Sequence, residues 1–370
     1  SVLQGDVNTP VRGWIDAHTH ITSFMSMASV VFHGKPYDER GPAASLGDSF
    51  WIHGHHSYND LVGRVLKGDF EKRKTDGWPN FPDWPTHEQL SYSLYHYRWL
   101  ERAYLSGQRL MVTHLVENEV LCYVANALNI YRNPRERTGC NPRNSIKDQA
   151  RYMWELQDAV DEQFGGPGSG FFRIVTSPQE ARQAIADGKL AVVLGVEVSE
   201  LFNCGLNDIW ERFLKGTVLS DADFECNWND VYQELDALHD LGVRSLFPVH
   251  RFDNKFAGTA LETGIFAYGN AISSGHLFKT EACDENTKGA EFSGPPVFGK
   301  GAGVLLQEGL KLVGIRTDFR LLDYDGDIDH CNMRGLSPLG VYLVNRMMDK
   351  NMLIEVDHTS AKAFGDILNI

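Results

Sequence analysis

Ser177-Pro178-Gln179-Glu180, closed by Gly188 and followed at once by Leu190-Ala191-Val192-Val193-Leu194-Gly195-Val196-Glu197, is the stretch that decides the fold. Its first half is a capping box with proline at the first helical position, and glycine ends the helix. Its second half is a strand-sized apolar run, as expected of a buried strand. The same unit recurs twice. Val231, Leu235, Leu238 and Leu241 share one helical face that Gly242 ends, and Val243-Arg244-Ser245-Leu246-Phe247-Pro248-Val249-His250 follows. Ser337-Pro338 starts a helix through Met347 and Met348, and Met352-Leu353-Ile354-Glu355-Val356-Asp357-His358 follows that. Helices alternating with strands through short links imply a parallel sheet.

Two earlier runs fit the scheme, Gly13-Trp14-Ile15-Asp16-Ala17-His18 and Arg109-Leu110-Met111-Val112-Thr113-His114. All five strands end in a polar side chain followed by a loop. In a TIM barrel the catalytic groups lie there, at the C-terminal ends of the strands. The expected fold is therefore an α/β TIM-type (β/α)8 barrel, one domain over residues 1–370. Residues 21–85 and 258–303 read as large loop insertions, and a third stretch outside the repeat lies between Asn203 and Trp228. A full barrel needs three strands more than the five visible. Those last strands are expected outside this chain, on a cleaved or truncated remainder or a second chain, since an open sheet would leave apolar edges.

Composition narrows the function. A net charge of −14 argues against a nucleic-acid partner, which needs a basic stripe. The nearest basic run, Glu71-Lys72-Arg73-Lys74, is short and reads as a solvated loop. The longest apolar run, Leu190 to Val196, is strand-sized, so no membrane span is expected. Six cysteines (Cys122, Cys140, Cys204, Cys226, Cys283, Cys331) never form Cys-x-x-Cys, which disfavours a zinc ribbon or a thioredoxin-like centre. Their even number fits disulfides in a secreted or periplasmic protein. Six reduced thiols in a cytoplasmic enzyme are the alternative, and the pairing is not legible.

His18-Thr19-His20 is the strongest local signal. Residues two apart on a strand face the same way, so both imidazoles enter one space, and two imidazoles at an open strand end suit zinc. Asp16 lies on the same face, one step deeper, where it could orient a histidine. Glu197 ends an otherwise apolar strand, where a lone carboxylate is costly unless paired or bound to a cation. His358 ends the fifth strand and is a further ligand candidate. His250, followed by Arg251, ends the fourth and suits either a ligand or a group that grips substrate, and His114 is placed to line the pocket. His53, His55 and His56 could close over the site or add a metal ligand, but their spacing has no firm metal pattern, which favours solvent exposure or loop packing.

These residues resemble the membrane (renal-type) dipeptidases. The run from Gly335 to Gly340, then Met347, Met348 and Met352 to Ser360, is similar to that family's segment ending in Asp-x-Ser-His. Gly195-Val196-Glu197 resembles its Gly-[Val/Ile]-Glu strand, and Gly242 through His250 and Asn254 its Gly-x-Arg … Thr-His-x-x-x-Asn strand and loop. The resemblance implies a barrel peptidase with two zinc ions. Glu197 would bridge them, His358 would bind the second, and His250 would contact substrate. The family's His-x-Asp pair stands here as His18 and His20, a pairing shared with wider amidohydrolases. Its further histidine ligand, arginine and catalytic aspartate would lie beyond Ile370. The expected activity is hydrolysis of a peptide or other amide bond in a small substrate by a metal-activated water. A lactonase or general amidohydrolase is the alternative enzyme, a catalytically inactive barrel used for binding is the non-enzymatic one, and a homo-oligomer is compatible with each.

Overall fold

In the computed structural model the described residues are 6–60, 91–206, 226–262, 264–275, 277–284, 287, 289 and 329–370. The basic run at 71–74 lies outside them, as do residues 61–85 of the 21–85 insertion and much of the stretches 203–228 and 258–303. The chain divides into two units, Ser1–Val196 with Leu238–Ser245, and Glu197–Ala237 with Leu246–Ile370.

The first unit contains β1 (Trp14–Thr19), α1 (Pro42–Leu46), α2 (Phe50–His53), α3 (Tyr97–Leu105), β2 (Gln108–Glu117), α4 (Glu119–Leu128), α5 (Pro142–Gln163), β3 (Phe172–Ile174), α6 (Pro178–Ala186) and β4 (Leu190–Val198, whose last two residues fall in the second unit). β1 pairs with β2 in parallel, and β3 with β4 in parallel, with Phe172 opposite Leu190 and Ile174 opposite Val192. The strand order β1-β2-β4 places β2 in the middle. Leu190, Ala191, Val192, Leu194 and Val196 are all buried, so β4 is covered on both faces, as parallel strands under helices are. This is the α/β arrangement with parallel pairing expected from the helix–strand repeat.

α6 begins as read: Ser177 Oγ accepts from the Glu180 N–H at 3.1 Å. The Glu180 carboxylate reaches one residue further back than a standard box, accepting from the N–H of Thr176 at 2.7 Å and its hydroxyl at 2.9 Å. α5 is a long helix that the hydrophobic pattern did not reveal. Asn141 caps it, and Pro142 occupies its first turn. Its inward face mixes Ile146, Ala150, Met153, Leu156 and Val160 with buried Gln149, Gln157 and Asp161. Those polar groups tie the helix to its neighbours. Gln157 accepts from the Ile174 N–H at 2.8 Å, while Asp161 accepts from Gly168 and Gly170 N–H and pairs with Arg173 at 2.8 Å.

The second unit contains most of α7 (Trp228–Asp240), the end of β5 (Val243–Leu246), then α8 (Gly264–Ser274), β6 (Thr280–Ala282), β7 (His330–Asn332), α9 (Pro338–Asp349), β8 (Leu353–Ile354) and α10 (Ala361–Leu368). β6 and β7 form an antiparallel pair that the sequence did not show. β5 and β8 are shorter than expected, which leaves His250 and His358 in loops beyond the strands. Proline supplies no N–H to a ladder, and Pro248 follows Leu246 by two residues, so β5 ends before it. The last link joining β8 to β5 is the Glu355 N–H donating to the Leu246 carbonyl at 3.1 Å. Ser337 caps α9 and Ser360 caps α10, each through a 3.0 Å bond from the residue three later.

All six cysteines are paired, Cys122–Cys140, Cys204–Cys226 and Cys283–Cys331. The disulfide alternative of the sequence reading is the one found. Among the described residues no helix is long and apolar enough to cross a membrane.

His33 and His53 are both buried in the first unit, each edge-to-face with Tyr92 at ring distances of 5.7 and 4.9 Å. Their Nε2 atoms donate to the carbonyls of Gly47 and Val31, at 2.9 and 2.6 Å. Burial, reinforced by neighbouring His53, holds the His33 pKa down at about 4. The unfolded chain therefore binds this proton near pH 6.5 and the folded chain does not until about pH 4. Stability present above pH 6.5 is lost as pH falls through that window, by roughly 3 kcal/mol. Melting curves between pH 7 and 4.5 should show this decline, and His33→Gln should flatten it; equal slopes in both proteins would contradict the assignment.

Candidate metal centre

In the first unit His18, His20 and His114 come together. β1 carries His18 and delivers His20 just past its end, and their Nε2 atoms stand 3.2 Å apart. His20 Nδ1 lies 3.0 Å from the His114 carbonyl. A carbonyl only accepts, so Nδ1 carries the proton, and in the neutral ring Nε2 keeps the lone pair a metal needs. The rings of His18 and His114 lie 4.6 Å apart. Asp16 Oδ1 accepts from the backbone N–H of His18 at 3.3 Å, which steadies the strand end beneath the pair. Two imidazole nitrogens on one zinc at tetrahedral angles stand about 3.3 Å apart. The observed spacing fits a shared cation.

His114 is fully buried, and its space exists because position 195 is glycine. A Cβ on Gly195 would fall 2.3 Å from His114 Cδ2 and 2.8 Å from its Nε2. The glycine in the middle of β4 thus makes room for the imidazole against the sheet.

In the second unit Glu197, His250 and His358 converge. The Glu197 carboxylate is buried, and its Oε1 lies 3.0 Å from Nε2 of both His250 and His358. The two rings meet edge to face at 4.5 Å. Their ligand atoms all lie within 4.8 Å of one another, close enough for one cation. A carboxylate with imidazoles is a donor set that zinc accepts.

A network of backbone and side-chain bonds builds this convergence. Asn254 Nδ2 donates to the carbonyls of Ser199 and Pro248, at 3.0 and 2.9 Å, joining the end of β4 to the loop that carries His250. Ser199 Oγ accepts from the Arg251 N–H at 3.2 Å. The Thr259 hydroxyl lies against the carbonyls of His250 and His358, the latter at 2.9 Å, so one side chain holds both histidine backbones. Asp253 in turn accepts from the Thr259 N–H at 3.0 Å and from Asn332 at 2.8 Å.

The two imidazoles differ in their second nitrogen. His250 Nδ1 is buried without a hydrogen-bond partner, and burial depresses the ring's pKa to about 4 against the opposing pull of Glu197. His250 is thus a neutral ring whose proton belongs on Nε2, toward Glu197. A metal-bound histidine needs an acceptor for its other N–H, and His250 has none. His358 Nδ1 faces Glu262 Oε1 at 3.7 Å. The geometry separates a donor, His250, from a ligand candidate, His358.

Arg251 pairs with Glu262 and lies 5.0 Å over the Phe266 ring. His53 is buried among loop residues and joins no metal-binding group among the described residues. Sequence reading missed Gly195 as the residue that admits His114, and Ser199, Thr259 and Glu262. Only Gly195 left a signal, as the one glycine inside an apolar strand.

No protein-family model matches the chain, and no curated protein matches it. Among solved structures, two that resemble it are metallopeptidases. One is a metallopeptidase from Rhodobacter sphaeroides liganded with a phosphinate mimic of the dipeptide L-Ala-D-Ala, at 14% identity and a TM-score of 0.38, over 98% of this chain and 62% of that one. The other is dipeptidase AC, a metallopeptidase, at 13% identity and a TM-score of 0.35, over 98% of this chain and 60% of that one. The chain thus spans about three fifths of the length of either.

Gly195→Ala should force His114 or β4 to move and destabilise the protein by about 1–3 kcal/mol, read from urea unfolding. An alanine variant as stable as the parent would contradict the close fit.

Proposed function

We propose that this protein is a metal-dependent hydrolase of the TIM-barrel kind, related to the membrane dipeptidases, that cleaves a peptide or other amide bond in a small substrate. The observation that carries it is the pair of histidine nitrogens set 3.0 Å from one buried carboxylate oxygen. The His18–His20 spacing supports it independently. His18, His20, Glu197 and His358 are the ligands, and zinc is the ion the donor set favours. That the chain holds two ions and forms a single barrel domain is part of the same proposal and rests on the motif resemblance. All six cysteines are in disulfides, which suits a secreted or periplasmic location.

The ions, when bound, would lower the pKa of a water and polarise the scissile carbonyl. The protein's own groups do the rest. His250, neutral and buried, presents an N–H donor beside the carboxylate and can grip a substrate oxygen. Arg251 offers a guanidinium next to it; one nitrogen engages Glu262, and the remaining donors suit a substrate carboxylate. His114 walls the site beside His18.

Metal analysis and dipeptide assays on the purified protein test the reading. Bound zinc and chelator-sensitive hydrolysis are expected. His358→Asn should lower zinc content, whereas His250→Asn should keep the metal and lose activity by about 100-fold. Zinc-free protein that hydrolyses no dipeptide after zinc addition would overturn the proposal. Loss of metal in His250→Asn would make that residue a ligand instead.

A further inference from the structure

We propose that Glu262 is a positioning residue that orients His358 for metal binding, and that Arg251 holds Glu262 in place. The inference rests on the reading of His358 as a metal ligand. The imidazole of His358 sits between two carboxylates: Nε2 faces Glu197 Oε1 at 3.0 Å, and Nδ1 faces Glu262 Oε1 at 3.7 Å. An imidazole binds a cation through one nitrogen only when its proton resides on the other. A carboxylate on the Nδ1 side favours that tautomer and leaves the Nε2 lone pair directed toward Glu197 and the ion.

The segment bearing Glu262 is fixed to the same turn. The Ala260 N–H donates to the His358 carbonyl at 2.7 Å, and the Thr259 hydroxyl approaches that carbonyl at 2.9 Å. Glu262 therefore springs from a strap anchored to the residue it faces. Arg251 completes the arrangement. Its guanidinium pairs with Glu262 and rests on the Phe266 ring, while its backbone N–H is anchored on Ser199, two residues beyond Glu197. The cation offsets the cost of holding Glu262 and Glu197 on two sides of one imidazole. His250 lacks such an acceptor, so the two histidines beside Glu197 are distinguished by their outer partners.

Zinc affinity of the purified protein, measured by competition with a chelating dye, tests this. Glu262→Ala should weaken zinc binding by about 10- to 100-fold. Glu262→Gln, which keeps a neutral acceptor, should recover most of that loss, and Arg251→Ala should show a smaller loss than Glu262→Ala. Circular dichroism melting of each metal-free variant serves as the fold control. Glu262→Ala that binds zinc as tightly as the parent, whether or not its melting point falls, overturns the positioning role. A parent protein that binds no zinc overturns the metal reading itself, so the two failures are told apart by the parent alone.

Discussion

A carboxylate without compensation cannot remain ionised in an apolar interior, and Glu197 is placed where that constraint is severe. It is the last residue but one of a strand whose preceding residues are almost all buried hydrocarbon. Burying such a charge is tolerated when hydrogen bonds or a cation replace the lost water. Two imidazoles meet it at 3.0 Å, and most of the local architecture can be understood as holding them there. Asn254 braces the loop of His250 against the end of β4, and Thr259 ties the backbones of His250 and His358 to one another. The interactions that stabilise the acid are the same ones that gather the candidate ligands.

The first unit solves a related problem with backbone geometry. Alternation along β1 brings His18 and His20 to one side, and a carbonyl from β2 fixes the proton of His20 on the nitrogen that faces away from His18. Gly195 then leaves room for His114 to fill the space behind them. Pre-orientation of this kind matters because ligands that must reorganise bind metal less well, and the orienting contacts weigh nearly as much as the ligands themselves. The buried pair His33 and His53 shows the opposite use of histidine in the same unit, as a neutral core group whose N–H is spent on backbone carbonyls.

How much of this the sequence revealed depends on how local each signal was. The start of α6 was legible because the cap, proline and glutamate lie within four residues. β4 was legible because nothing in it but Glu197 is polar. α5 was not, although it is the longest helix among the described residues, because Gln149, Gln157 and Asp161 occupy inward positions and dilute its apolar stripe. β3 is only three residues long, and the β6–β7 pair joins segments far apart in the chain. The cysteine pairing depends on the same tertiary closure. The candidate ligands stood out because polar groups at the ends of apolar strands are conspicuous, whereas Glu262 lies in an insertion where acids are unremarkable. Its meaning appears only when the turn at His358 folds against it.

The central claim is that histidine nitrogens and a carboxylate of this chain hold a metal ion. X-ray absorption at the zinc edge of the zinc-loaded protein tests it most directly. Nitrogen and oxygen scatterers at about 2.0–2.1 Å with outer-shell imidazole features are expected. No sulfur is expected near 2.3 Å, since every cysteine is engaged in a disulfide. A spectrum of fully hydrated zinc, or one dominated by sulfur, would contradict it.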